Sequence, residues 1–140
     1  MPQLVYLHRK PDARSPEFPP PPQPSRVLLI SEASTAQSYK EVVAKELTLN
    51  GCLYFMAWGR ECEAWHDAVD MANIEQFDFK EIPEESLIMT TWHEKEALSE
   101  ALWFCKNSAF HASVKLSHTV LLHLSAESAE DQILEQYRVA

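Results

Sequence analysis

The chain has 140 residues, 46% of them hydrophobic and 24% charged, and carries a net charge of −9 at neutral pH. That length and balance describe one ordinary globular domain able to bury a core, and the acidity disfavours a phosphate backbone as partner. No apolar run reaches the length of a membrane span and no leader-like apolar core opens the chain. Three cysteines without a leader argue against a disulfide framework, so a cytoplasmic protein is expected.

Residues 1–25 stand apart, with eight of the nine prolines, including Pro19 to Pro22. The segment reads as a Pro-rich arm or linker of polyproline II character before a body at 26–140. Within it, Leu4 to Leu7 is the stretch able to add an edge strand or pack on the body. The charge divides unevenly: Arg9, Lys10, Arg14 and Arg26 against Asp12 and Glu17 give +2 over residues 1–26, leaving −11 for the rest.

The body opens with the apolar run Val27 to Ile30, a strand ending at Ser31 and Glu32. Ser38 and Glu41 have capping-box spacing for the helix that follows, with Tyr39, Val42, Val43 and Leu47 on its buried stripe. Asn50-Gly51 stops that helix, because Gly accepts the left-handed conformation. Cys52 to Trp58 is a second strand, ended by Gly59. Cys62, Trp65, Ala68, Val69 and Ala72 then lie at helical spacing. After Pro83 a short apolar run, Leu87 to Met89, reads as a third strand. Thr91 and Glu94 repeat the capping box, and Leu98, Ala101, Leu102 and Cys105 form the stripe of a third helix. Val120 to Leu124 is the fourth body strand, and Ser128 with Asp131 caps a last helix carrying Ile133, Leu134 and Tyr137.

Strand and helix alternate four times, which predicts an α/β fold: a three-layer, doubly wound domain with a mostly parallel sheet of about four strands. The simplest winding orders the body strands 2-1-3-4. Ligands of such sheets bind at the carboxyl ends of the strands beside the switch point. The candidate ligand- or partner-binding residues are therefore Ser31, Glu32, Trp58, Thr90, Thr91, Trp92 and His93. Two readings of that joint stand side by side: Thr91 caps, Trp92 packs and His93 sits exposed in the first helical turn, or the group lines a crevice.

The chemistry is bounded mainly by exclusion. Two glycines, Gly51 and Gly59, are too few for a dinucleotide fingerprint or a phosphate-binding loop, and no Gly-flanked serine elbow occurs. No Cys-x-x-Cys pair marks a zinc site, so neither metal nor cofactor is expected. Cys62 near a helix start suggests a thiolate, but Glu61 and Glu63 flank it and oppose that charge. No catalytic residue is assigned. The expected role is a non-catalytic binding or adaptor module for a protein or small molecule, without nucleic acid or membrane. The alternative is a small enzyme or nucleotide-derivative binder using Glu32, Thr91 and His93, with Glu32 and His93 as an acid–base pair on adjacent strand ends.

The segments Cys-Leu-Tyr-Phe-Met-Ala-Trp-Gly (52–59), Met-Thr-Thr-Trp-His-Glu (89–94) and Ala-Leu-Trp-Phe-Cys-Lys (101–106) resemble those of a small bacterial α/β family of unknown function. The likeness covers residues 26–125 and implies no activity or cofactor. The strand-helix order is also similar to that of TIR domains and flavodoxin-like modules, in topology alone.

Overall fold

Two runs of the sequence, Val27 to Ile30 and Val120 to Leu122, are apolar at consecutive positions, so they satisfy a strand covered on both faces. In the computed structural model, which describes residues 3–13 and 23–140, both are central strands. The strands are β1 (Gln3–Arg9), β2 (Ser25–Ser31), β3 (Cys52–Gly59), β4 (Met89–His93) and β5 (His118–Leu124). They form one five-stranded sheet in the order β1-β5-β2-β3-β4, with every pair parallel. Helices α1 (Gln37–Leu49) and α2 (Cys62–Gln76) pack on one face with Val27, Leu29, Phe55 and Ala57. Helices α3 (Leu98–Asn107) and α4 (Glu130–Arg138) cover the other, against Leu28, Ile30, Met56 and Leu121. The α/β, doubly wound architecture with helices on both faces is thus the one expected.

The strand order differs from the expected 2-1-3-4. Numbered over the body alone, the strands lie 3-2-1-4, with β2 between β3 and β5 and β4 at the outer edge. The physical reason lies in the composition of β4. Met-Thr-Thr-Trp-His is short, and only its last residue is buried, whereas β5 is buried at six of its seven positions. A strand with polar side chains on both faces is stable at an edge, and a continuous apolar strand needs neighbours on both sides.

The fifth strand comes from the Pro-rich segment. Gln3–Arg9 pairs with β5 from Gln3↔His118 to Arg9↔Leu124, so Leu4 to Leu7 takes the edge-strand position that the sequence allowed it. Val5 and Leu7 pack on the α1–α2 core, and buried Arg9 forms an ion pair with Glu46 of α1 at 2.7 Å. The Pro19 to Pro22 run lies outside the described residues.

The helix starts move. α1, α3 and α4 begin at Gln37, Leu98 and Glu130, each preceded by an alanine that makes no side-chain cap. The three expected caps at Ser38, Thr91 and Ser128 are therefore not formed. Thr91 lies inside β4, because the strand occupies Met89–His93 rather than Leu87 to Met89. Capping-box spacing is a local signal, whereas the start of these helices is set by where the chain clears the sheet. The helix stop at Asn50-Gly51 is as expected, with Gly51 at φ +86°.

Removal of residues 1–10 should therefore be costly. It strips β1 from β5 and deprives Glu46 of Arg9, and we expect a loss of about 3 kcal/mol in urea unfolding. A midpoint within error of the full chain would show that β1 contributes nothing.

Candidate functional site

Ser31 and Glu32 end β2, Trp58 and Gly59 end β3, and Trp92 and His93 end β4, whereas Thr90 and Thr91 lie further back, paired with Phe55 and Met56 in the middle of β3. The pleat then divides them, since alternate strand residues face opposite sides. Thr90 donates to Asp70 of α2 at 2.7 Å, and Trp92 meets the ring of His66, also on α2, at 4.5 Å. Thr91 and His93 face α3 instead, where the His93 ring lies 5.1 Å from Phe104. The expected group therefore forms two sites on two faces, not one crevice.

His93 is not an exposed first-turn residue. It is buried, with Nδ1 on the Glu96 carboxylate at 2.7 Å and Nε2 on the Thr91 hydroxyl at 3.0 Å. An ionised Glu96 only accepts, so Nδ1 donates to it and the Thr91 hydroxyl donates to Nε2. The Trp58 indole donates to the Glu96 carbonyl at 2.8 Å and holds the same loop. Trp58, Thr91, His93 and Glu96 thus support one another, and this mutual bonding makes the cluster a brace between β3, β4 and α3.

Glu32 does not meet His93, because β3 stands between their strands. Its partner is His123 of β5. The parallel register places His123 beside Ile30 of β2 and His8 of β1, all three on the α4 face. Nε2 of His123 lies 3.1 Å from Glu32 Oε1, and Nδ1 lies 2.6 Å from the Tyr6 hydroxyl. That hydroxyl accepts the Ala129 backbone N–H at 3.0 Å. One proton assignment satisfies every group: Ala129 N–H to Tyr6, Tyr6 O–H to Nδ1, and Nε2–H to Glu32. His123 is 2% exposed, while the Glu32 side chain is half exposed, so the relay opens to solvent at the carboxylate end. His8 stands 6.0 Å from the His123 ring and contacts the Ser125 carbonyl at 3.0 Å.

This relay sits at the topological switch point. From β2 the chain winds outward through β3 to β4 on the α1–α2 side, then crosses through α3 to β5 on β2's other flank. Beyond the strands, the Glu32 amide still bonds the Leu124 carbonyl at 2.9 Å, which fixes the Glu32 backbone against β5. Ser31 is buried and its hydroxyl donates to the Ala33 carbonyl at 3.3 Å, so it shapes the loop rather than facing solvent. Sequence reading missed Tyr6, His8 and His123. One signal was present, a histidine inside the otherwise apolar run Val120 to Leu124.

A second device holds the loop after Glu32. Lys40 is 3% exposed, and its ammonium bonds the Thr35 carbonyl and the Glu61 carboxylate, both at 2.8 Å. Glu61 also accepts the Thr35 amide at 3.1 Å. The Lys40 hydrogen bond holds the Glu61 carboxyl below its ordinary range.

The cysteines are free and buried. Burial pushes the Cys52 and Cys105 thiols up to about 12. Cys62, the first residue of α2, is raised mainly by burial, with the Glu94 charge adding to it. The helix start therefore does not yield a thiolate. His66 is engaged by Asp67 and Asp70, and His111 by the Leu87 carbonyl. Among the described residues no three His, Cys, Asp or Glu side chains converge as a ligand set for a metal. Among the described residues no helix is long and apolar enough to cross a membrane.

Residues 4–140 match a domain of unknown function, DUF7684. The chain belongs to that family. The family match is wider than the 26–125 of the expected resemblance, and it takes in nearly all of β1 and the whole of α4. Tyr6, Glu32 and His123 therefore all fall within the DUF7684 domain. No curated protein and no solved structure matches the chain.

Two expectations follow from this chemistry. A group with a depressed folded pKa stabilises above its unfolded pKa and loses that contribution as pH falls through the folded value. The Glu61–Lys40 contribution should accordingly be full above pH 4.5, the ordinary value for Glu61, and disappear below it. Glu61→Gln should flatten the acid limb of the stability curve, and an unchanged limb in acid titration would remove the clamp from the account. In the native DUF7684 chain, moreover, Cys52, Cys62 and Cys105 should resist a neutral thiol reagent and react together only on denaturation. Fast labelling of Cys62 in the folded protein would contradict its assignment as a buried thiol.

Proposed function

We propose that the chain is a non-catalytic ligand-binding module whose site is the carboxyl-edge position between β2 and β5, with Glu32 as the contact group. The observation that carries this reading is the Tyr6–His123–Glu32 relay at the switch point. Open α/β sheets place their ligands there, outside the carboxyl ends of the strands. A buried polar chain is costly unless every member is satisfied, and this one is satisfied throughout with one carboxylate left facing water. Glu32 Oε1 is taken by His123, and the rest of the carboxylate remains as an acceptor. The chemistry suits a small molecule with hydroxyl or amine donors. The net charge of −9 disfavours nucleic acid and an anionic membrane as partners.

The second reading is a small enzyme at the same position. An imidazole between a phenol and a carboxylate has the connections of an acid–base group, and that specific arrangement favours His123 with Glu32. The pairing of Glu32 with His93 has no such support, since the two stand on non-adjacent strands.

A thermal-shift screen of nucleosides, sugars and amines tests the module. A stabilising compound is expected whose shift disappears in Glu32→Gln and persists in His93→Gln. A shift that survives Glu32→Gln would move the site elsewhere. Turnover of the bound compound, lost in His123→Gln, would favour the enzyme.

A further inference from the structure

The opposite end of the sheet holds a cavity of about 490 Å³. Arg26 and Thr119, the second residues of β2 and β5, are paired in register at its floor, on the face covered by α3 and α4. The wall is the loop from Phe110 to Leu116. That loop is built around His111. Nδ1 accepts the amides of Ser113 and Val114 at 3.1 and 3.2 Å, and Nε2 donates to the Leu87 carbonyl at 2.7 Å. A single side chain thus holds three backbone groups and gives the wall a set shape.

The charge of this lining is unlike that of the whole chain. Acids outnumber lysines and arginines 21 to 12 over the sequence. The cavity is lined by Arg26, Lys115 and His111, with no carboxylate among its lining residues. The two fully buried cations elsewhere each have an acid: Arg9 with Glu46, and Lys40 with Glu61. Arg26 is partly buried and forms no ion pair among the described residues. Its Nε is buried without a hydrogen-bond partner. A guanidinium donor removed from water without an acceptor is costly unless something supplies one. The guanidinium stands 5.6 Å from the ring centre of Phe110, which is itself 66% exposed.

We propose that this cavity binds a small molecule with an oxyanion head, a carboxylate or phosphate, and a flat apolar body. Arg26 takes the head through its planar fork, which matches both groups in geometry, and Lys115 adds a second positive charge. Phe110, Val114 and Leu116 receive the body, and the exposed ring offers a face on which it stacks. Thr119 supplies a hydroxyl at the floor. The site lies at the amino ends of the strands, so it is separate from Glu32 and independent of it.

The test is calorimetric titration of the full chain with two probes, benzoate and phenyl phosphate. At least one should bind with millimolar affinity or better, and the tighter one identifies the head group. Arg26→Met should weaken that probe by about tenfold or more, and Phe110→Ala by about fivefold, as expected for loss of a charge-assisted pair and of a stacking face. Glu32→Gln should leave it unchanged. Inorganic phosphate alone should compete weakly, because it lacks the apolar body. Without ligand, Arg26→Met should melt no lower than the parent, since it removes a buried Nε that makes no hydrogen bond and leaves an apolar side chain against Phe110. Failure of both probes at about 10 mM, where a weak 10 mM site would be half filled, overturns the proposal. Undiminished binding by Arg26→Met overturns it equally.

Discussion

The pairing of β2 with β5 is the constraint on which the rest of this molecule depends. Both strands have a consecutive apolar run at their centre, Val27 to Ile30 and Val120 to Leu122, and each needs a neighbour on both edges and a helical layer on both faces. Their parallel register runs from Ser25↔His118 to Ser31↔Leu124 and continues one bond further, from the Glu32 amide to the Leu124 carbonyl. That pairing sets the switch point, because the chain departs from β2 in one direction and returns to its other flank. It also brings Glu32 to His123. At the far end the same register sets Arg26 beside Thr119. One strand pair therefore creates both polar positions.

The outer strands are held by side chains as much as by backbone. β1 is tied to α1 by the buried Arg9–Glu46 pair and to α4 through Tyr6, whose hydroxyl serves the Ala129 amide and His123 together. β4 is tied to α2 by Thr90 and Asp70 and to the loop before α3 by His93 and Glu96. The bonds to Glu46, Asp70 and Glu96 are charge-assisted, and each polar group that one half of a pair buries is satisfied by the other. The edges of the sheet are consequently anchored to helices on both faces.

Within an acidic chain, the positions of the cations carry information. Arg9 and Lys40 neutralise a neighbouring acid and fasten one element to another. Lys106 bonds the carbonyls of Tyr137 and Arg138 at the end of α4, at 3.3 and 2.8 Å. These three have structural partners. Arg26 has an aromatic ring and, among the described residues, no ion pair, and that contrast gives the amino-end cavity its meaning.

Much of this was legible in the residues. Consecutive apolar runs identified β2, β3 and β5, and helical spacing identified the buried stripes of α2 and α3, because burial on both faces and a 3.6-residue period both leave local marks. Gly51 marked a helix end because its positive φ is a local demand. The cavity-facing Arg26, the relay of Tyr6 with His123 and Glu32, and the neighbours of β4 left no such mark. Tyr6 and His123 are 117 positions apart, and only the β1–β5 register makes them partners. Thr91 and Glu94 have the spacing of a capping box, yet the strand continues through Thr91 because Met56 and its neighbours on β3 pair with it. Local pattern thus determined which segments are strands and helices. Which strand lies beside which, and so which polar side chains meet, was decided by the tertiary structure, because strand adjacency depends on burying two faces and two edges at once.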